Sequence, residues 1–188
     1  AKDIMPQGYT TNIVDSNGTL LEQLKDSDSN RVYKKYDEIS PYMGKAFVAI
    51  EDERFYKHNG IDIQGIIRAG VNGVAHGFHF TEGASTLTQQ PIKNNFINES
   101  KYQRIERKIQ EQYLALKIEK EMSKEEILEA YMNTINLGQG CLGVQTAAQR
   151  YFNKDAKDLT LSECAVIAAI TQSPSNLNPV SNPENNAK

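Results

Sequence analysis

Ala46-Phe47-Val48-Ala49-Ile50 runs directly into Glu51-Asp52-Glu53-Arg54-Phe55-Tyr56-Lys57-His58-Asn59-Gly60. Five apolar residues are followed by three carboxylates, three basic side chains and two aromatics, and a glycine closes the run. A buried segment that ends on an acidic pair places a carboxylate at the rim of the core. Lost hydration disfavours the charged form of such a group, which suits it to general-base work near neutral pH. Just upstream, Ser40-Pro41 reads as a helix start, with Ser as N-cap and Pro at the first helical position. The helix is expected to run from there to about Arg54. The plain alternative is a helix end with solvated charges.

The rest of the chain sets bounds on that reading. Its 188 residues suit one domain with a real core, or one domain plus an appendage. A net charge of −3 and a hydrophobic fraction of 39% fit a globular chain and argue against a general nucleic-acid binder. No apolar run reaches the roughly 18 residues of a membrane span, and no signal peptide is visible. Cys141 and Cys164 match no metal or redox spacing and sit among small apolar residues, so buried free thiols are expected. The start at Ala1 and the Asn/Pro-rich end read as those of a piece cut from a longer protein.

Outward from the charged stretch, residues 1–36 read as a peripheral linker with a small β-hairpin. Thr10–Val14 and Thr19–Leu21 flank Asp15-Ser16-Asn17-Gly18, a hairpin signal. Beyond Gly60, a helix is expected from Ile61 to about Val74, with Ile63, Ile66, Ile67, Gly70 and Val71 on one face. Gly73 to Gly83 has no period and mixes apolar residues with His76 and His79, as a surface loop or an apolar flap would. Ser85-Thr86-Leu87-Thr88-Gln89-Gln90 supplies uncharged donors and acceptors ahead of a helix start, with Lys93 one turn on. Residues 101–121 form an amphipathic helix: Ile105, Ile109, Tyr113 and Leu116 share one face, and Arg104, Arg107, Lys108 and Glu111 gather opposite. That polar side is either solvated or an anion site suited to phosphate or pyrophosphate. Capping boxes at Ser123–Glu126 and Thr160–Glu163 open two further helices. The chain is therefore mainly α, with no internal repeat.

In order, EDERFYKHNG, EGASTLTQQPIKN, RKIQE, KEEILEAYMNTINLG and GVQTAAQRYFNK resemble the peptidoglycan glycosyltransferases. These are the glycosyltransferase family 51 domains of class A penicillin-binding proteins and monofunctional transglycosylases. The resemblance covers about residues 40–180. It implies a lysozyme-like, two-lobed helical domain over residues 37–188, truncated at its C-terminal end. It further implies polymerisation of lipid II with inversion at the outer face of the bacterial cytoplasmic membrane. There the enzyme would be anchored by an upstream transmembrane helix, inhibited by moenomycin and in some members fused to a transpeptidase domain. The loop from Gly73 to Glu82 then matches the family's membrane-facing region.

By the same resemblance, Glu51 is the catalytic base and Glu111 the second carboxylate. Lys93, Arg107 and Lys108 match basic positions suited to the leaving pyrophosphate. Ser85, Thr86, Gln89, Gln90 and Asn94 match positions that contact sugar or phosphate, and Asp52, Phe55 and His58 match motif positions beside the base. For Phe55 and His58 a structural role, packing the helix and bonding the turn, stands beside that assignment. Glu111 either orients the basic cluster or acts with a divalent cation, Mg²⁺ or Mn²⁺; no organic cofactor is implied. Two departures are Pro91, where an aliphatic residue is usual, and Ala84, where glycine is commoner. A peptidoglycan hydrolase and a non-catalytic wall-binding domain are the competing readings, and neither needs the cationic cluster.

Overall fold

The computed structural model describes residues 11–14, 20–24, 31–75, 84–96 and 104–186. Within them the chain is mainly helical, as expected. The elements are strands β1 (Thr11–Val14) and β2 (Leu20–Leu24), then helices α1 (Pro41–Glu51), α2 (Ile63–Ala75), α3 (Gln89–Phe96) and α4 (Arg104–Glu121). Helices α5 (Lys124–Thr134), α6 (Val144–Phe152), α7 (Leu161–Ile170) and α8 (Pro183–Asn186) follow. The two strands pair antiparallel, with Thr11 opposite Leu24. The Asp15–Gly18 turn and most of the Gly73–Gly83 stretch lie outside the described residues.

The core sits between α1, α5, α6 and α7. Met43 and Phe47 of α1, Ile127, Leu128, Tyr131 and Met132 of α5, Ala147 and Ala148 of α6, and Ile167 and Ile170 of α7 are all buried in one cluster. Burying each large apolar side chain contributes about 1.5–3 kcal/mol. Helix α1 packs against α7, and α3 packs against both α4 and α5. Both expected capping boxes form: Ser123 accepts from the Glu126 N–H, and Thr160 from the Glu163 N–H. Ser40 takes the N-cap position of α1 but donates its hydroxyl to the Leu159 carbonyl at 2.8 Å, tying α1 to the approach of α7. Both cysteines are free and buried.

Three features go beyond the sequence pattern. Helix α1 ends at Glu51, not near Arg54. Asp52 leaves helical geometry because its carboxylate turns inward to the Leu87 N–H and to His58. A short 3-10 turn, Phe55–Lys57, then carries Phe55 into the core. Second, the isoleucine face of α2 is solvent-facing: Ile63, Ile66, Ile67 and Val71 are exposed, and α2 touches its neighbours only lightly. Third, α4 packs with its polar side inward. Ile105, Ile109, Tyr113 and Leu116 are exposed, whereas Glu111 is 1% exposed. That side is therefore not a solvated face. The pattern reverses because the charged side has buried partners, described below.

Residues 31–36, placed within a peripheral linker, are fastened to the helical body. The Lys34 N–H and carbonyl exchange hydrogen bonds with the Asn133 side chain, at 2.9 and 2.8 Å. The Lys34 ammonium donates to Asp155 at 2.7 Å, and the Tyr36 N–H donates to Glu129 at 2.6 Å. Pro91 is the third residue of α3, inside the first turn, where a proline is tolerated.

Candidate active site

Glu51 is the last residue of α1 and is half-buried. Its Oε1 accepts from the Thr171 hydroxyl and, at 3.0 Å, from the Gln172 amide; its Oε2 accepts from the Gln90 amide, also at 3.0 Å. All three donors are neutral. Thr171 and Gln172 follow the end of α7, and Gln90 lies in the first turn of α3. The end of α7 and the start of α3 therefore converge on one carboxylate at the end of α1. Beneath it lies Tyr131, 1% exposed, with its ring edge-on to Phe47 at 5.0 Å. Burial, and then the charge of Glu51, push the Tyr131 phenol well above its usual range, so it stays neutral.

A polar cavity of about 180 Å³ opens beside Glu51. Arg54, Asp62, Arg68 and Ser85 also line it. Arg54 holds Asp62 through both nitrogens of its fork and donates to Gln64 at 2.6 Å. Partial burial raises the Asp62 carboxyl, but the bonds from Arg54 and the Gly65 N–H outweigh it and hold the group below its ordinary value.

Glu111 is held in a different way. Lys108 donates to its Oε2 at 2.6 Å, and Arg107 Nε lies 3.5 Å from its Oε1. Glu111 is buried, while the Lys108 side chain is 43% exposed. The carboxylate thus anchors two cations, of which Lys108 is the more exposed and Arg107 is mostly buried. Lys108 also donates to the Ser85 hydroxyl at 3.0 Å. Since Ser85 lines the cavity beside Glu51, that serine links the two carboxylate sites.

Several expected contact residues also bond within the fold, and two of them, Asp52 and Thr86, line the cavity as well. Thr86 and Gln89 are buried and donate to the Gly60 carbonyl, at 2.8 and 3.5 Å. Asp52 accepts from the Leu87 N–H at 3.0 Å and from His58 Nε2, 3.0 Å from each of its oxygens. His58 Nδ1 accepts from the Gly60 N–H at 3.1 Å, so the ring proton sits on Nε2 and points at Asp52. Phe55 is fully buried, with the Lys124 ammonium 4.3 Å from its ring centre. That ammonium also donates to the His58 carbonyl at 2.8 Å and to Glu119 at 2.7 Å. These side chains spend their polar atoms on holding the Asp52–Gly60 turn against α3 and α4, which favours the structural role for Phe55 and His58. Lys93 is exposed on α3. Asn94 lies in α3, with its side chain outside the described residues.

Thr171 and Gln172 were not singled out from sequence. Nothing in Thr171-Gln172-Ser173-Pro174 marks a site; only the packing of α7 on α1 brings them to Glu51. Gln90 was singled out, but the structure gives it Glu51 as a partner. Among the described residues, no group of three or more His, Cys, Asp or Glu side chains gathers to hold a metal ion. Glu111 has cations, not further carboxylates, beside it, which does not fit a resident divalent cation.

A profile described as Transglycosylase matches residues 17–188. Penicillin-binding protein 1A of Clostridium acetobutylicum is 47% identical over 189 aligned residues, covering 89% of this chain and 23% of that protein. The protein of the same name from Clostridium perfringens is 47% identical over 166 residues, covering 86% of this chain and 24% of its own length. That from Escherichia coli is 44% identical over 168 residues, covering 89% of this chain and 19% of its own. The chain thus spans about a fifth to a quarter of the length of these curated relatives.

Proposed function

The chain belongs to the transglycosylase family, and from that premise we propose that its cleft polymerises lipid II into β-1,4-linked glycan, with inversion and release of undecaprenyl pyrophosphate. The observation that carries this reading is Ser85. It lines the cavity beside Glu51 and accepts from Lys108, so a neutral-donor carboxylate and an anchored cation pair share one cleft. A glycosyl transfer to an alcohol from a lipid pyrophosphate needs both. The acceptor sugar's 4-hydroxyl is a poor nucleophile until a base takes its proton, and the departing pyrophosphate must have its charge held.

In this reading Glu51 takes that proton as the hydroxyl oxygen attacks the anomeric carbon, and the bond to pyrophosphate breaks on the opposite face. No covalent intermediate is needed, as in inverting glycosidases. Arg107 and Lys108 meet the pyrophosphate oxygens, with exposed Lys93 and the Ser85 hydroxyl as further contacts. Glu111 keeps the cations extended toward the cleft. Asp52, Phe55, His58, Thr86 and Gln89 shape the walls. No step is assigned to a metal ion, because the side chains around Glu111 do not form a set that would retain one.

The exposed isoleucine faces of α2 and α4 support placement against a membrane, where a lipid-linked substrate resides. Ile63 and Leu116 line one groove of about 520 Å³ together with Lys57. None of the described helices is long and apolar enough to cross a membrane. In this reading an upstream anchor holds the domain at the outer face of the cytoplasmic membrane. The much greater length of the relatives fits a fused transpeptidase domain.

Incubating the intact protein with labelled lipid II, and separately with finished glycan, tests the proposal. Polymer from lipid II, blocked by moenomycin, is the expected result. Consumption of finished glycan would make the protein a hydrolase, and lipid II binding without polymer would make it a wall-binding domain.

A further inference from the structure

Building on the reading of Glu51 as the base, we infer that Thr171 and Gln172 are positioning residues that select Oε2 of Glu51 as the proton-accepting atom. An ionised carboxylate offers about four lone-pair sites, two on each oxygen. Oε1 has both taken, one by the Thr171 hydroxyl and one by the Gln172 amide. Oε2 has one taken, by the Gln90 amide. Among the described residues, the count leaves one lone pair on Oε2 for a substrate hydroxyl.

The Thr171 hydroxyl has a single proton and two acceptors within reach, Glu51 Oε1 and the Ala168 carbonyl at 2.8 Å. That carbonyl already accepts the Thr171 N–H at 3.2 Å. A hydrogen bond to a charged acceptor is roughly twice as strong as a neutral one. The hydroxyl proton therefore points at Glu51. When the acceptor's proton arrives on Oε2, Oε1 becomes the carbonyl oxygen of the neutral acid and keeps both donors. The carboxyl plane is held through the proton transfer, and neither Thr171 nor Gln172 loses or gains a proton.

The device depends on the seating of α7. Its first turn is fixed by the Thr160 box and by Lys154, which donates to Glu163 at 2.7 Å. Its body packs on α1, which ends in Glu51. Two helix C-termini meet at this carboxylate, and both dipoles oppose an anion there. Neutral donors at that point fix its geometry without supplying a counter-charge.

The test measures lipid II polymerisation by the intact protein carrying Thr171→Val, Thr171→Ser, Gln172→Leu or Glu51→Gln, with thermal unfolding recorded for each. Freeing Oε1 lets the carboxyl rotate, and misplacement of about 1 Å can cost about 10²-fold. We expect Thr171→Val and Gln172→Leu each to lower kcat by roughly ten-fold while KM stays within about two-fold, since neither side chain touches the substrate. Thr171→Ser, which keeps the hydroxyl, restores turnover. Gln172 is exposed, so Gln172→Leu reads the effect even if the core-edge Thr171→Val unfolds. Wild-type kcat in a folded Gln172→Leu or Thr171→Val, with Glu51→Gln inactive, overturns the positioning role alone. Wild-type turnover in Glu51→Gln removes the base, and this inference with it. A rise in KM with unchanged kcat makes the two residues substrate contacts and also overturns it.

Discussion

Two glutamates are linked through Ser85 and Lys108, and the chain treats them in opposite ways. Glu51 is half-buried and held by a hydroxyl and two amides. Glu111 is fully buried and held by Lys108 and Arg107. Neutral donors orient an acceptor yet leave its remaining lone pair to a substrate proton. Cations neutralise a carboxylate and make it an anchor for their own positive charge. In the proposed reading, the difference separates acid–base work from charge holding.

The comparison breaks most visibly at Glu111. Glu111→Ala leaves Arg107 and Lys108 without their shared anion. Breaking a buried ion pair by removing one partner costs about 3 kcal/mol at the low end, and the partial exposure of Lys108 favours that end. Thermal unfolding should show the loss, and polymerisation should fall with it.

A smaller effect is expected from Gly60→Ala. Gly60 has a φ of +89°, and an added Cβ would lie 2.7 Å from the Ala115 carbonyl of α4. Its own carbonyl accepts from Thr86 and from Gln89 of α3, so it ties the Asp52 turn to α3. Holding a non-glycine residue there costs about 1–3 kcal/mol. Urea titration should show a lower midpoint, with activity falling as the two carboxylate sites shift relative to each other.

Ionic strength should separate the sites without mutation. Charge–charge contacts at exposed positions are screened over about 8 Å at physiological salt. Raising salt should lift the KM for lipid II severalfold through Arg107 and Lys108, while kcat, set by Glu51 among neutral donors, changes little. Steady-state kinetics across a salt series checks this. An equal fall of kcat would place the cations in the proton-transfer step.

The smallest effect belongs to the helix that carries Thr171 and Gln172. The bond from Lys154, with those from Thr160, holds the Glu163 carboxyl down to about 2, below its ordinary value of 4.5. A depressed carboxylate contributes stability that is complete above its unfolded pKa and lost as pH falls through the folded one. The Glu163 contribution should therefore be intact above about pH 4.5 and fade toward pH 2. The acid limb of unfolding in Glu163→Gln should be flatter over that window.

Much of the fold was legible because local rules and burial agreed. The capping boxes at Ser123 and Thr160 form, and Ile127, Leu128, Tyr131 and Met132 are buried. The exceptions have a physical reason. On α2 and α4 the apolar stripe was visible, but periodicity says only that two faces differ, not which one turns inward. On α4 the ion pairs at Glu111 and the packing on α3 decided it. Helix α1 stopped at Glu51 because the Asp52 carboxylate found a donor at Leu87, 35 positions away. For the site, Glu51 and the Arg107–Lys108–Glu111 cluster were legible as motifs. Whether Thr86, Gln89 and Asp52 faced the cleft or the wall was not, because a polar side chain reads the same in either direction. Thr171 and Gln172 carried no local signal, since their role arises from the seating of α7 on α1.

The division between the two glutamates is tested most directly by Glu51→Gln. Lipid II turnover and thermal unfolding should be measured on the same intact protein. Gln fills the same space and keeps an acceptor for Thr171, but it cannot take a proton. Turnover should fall by about 10²–10⁴-fold with the unfolding temperature close to wild type. Near-normal turnover in that folded variant would contradict the account and move the base elsewhere in the cleft.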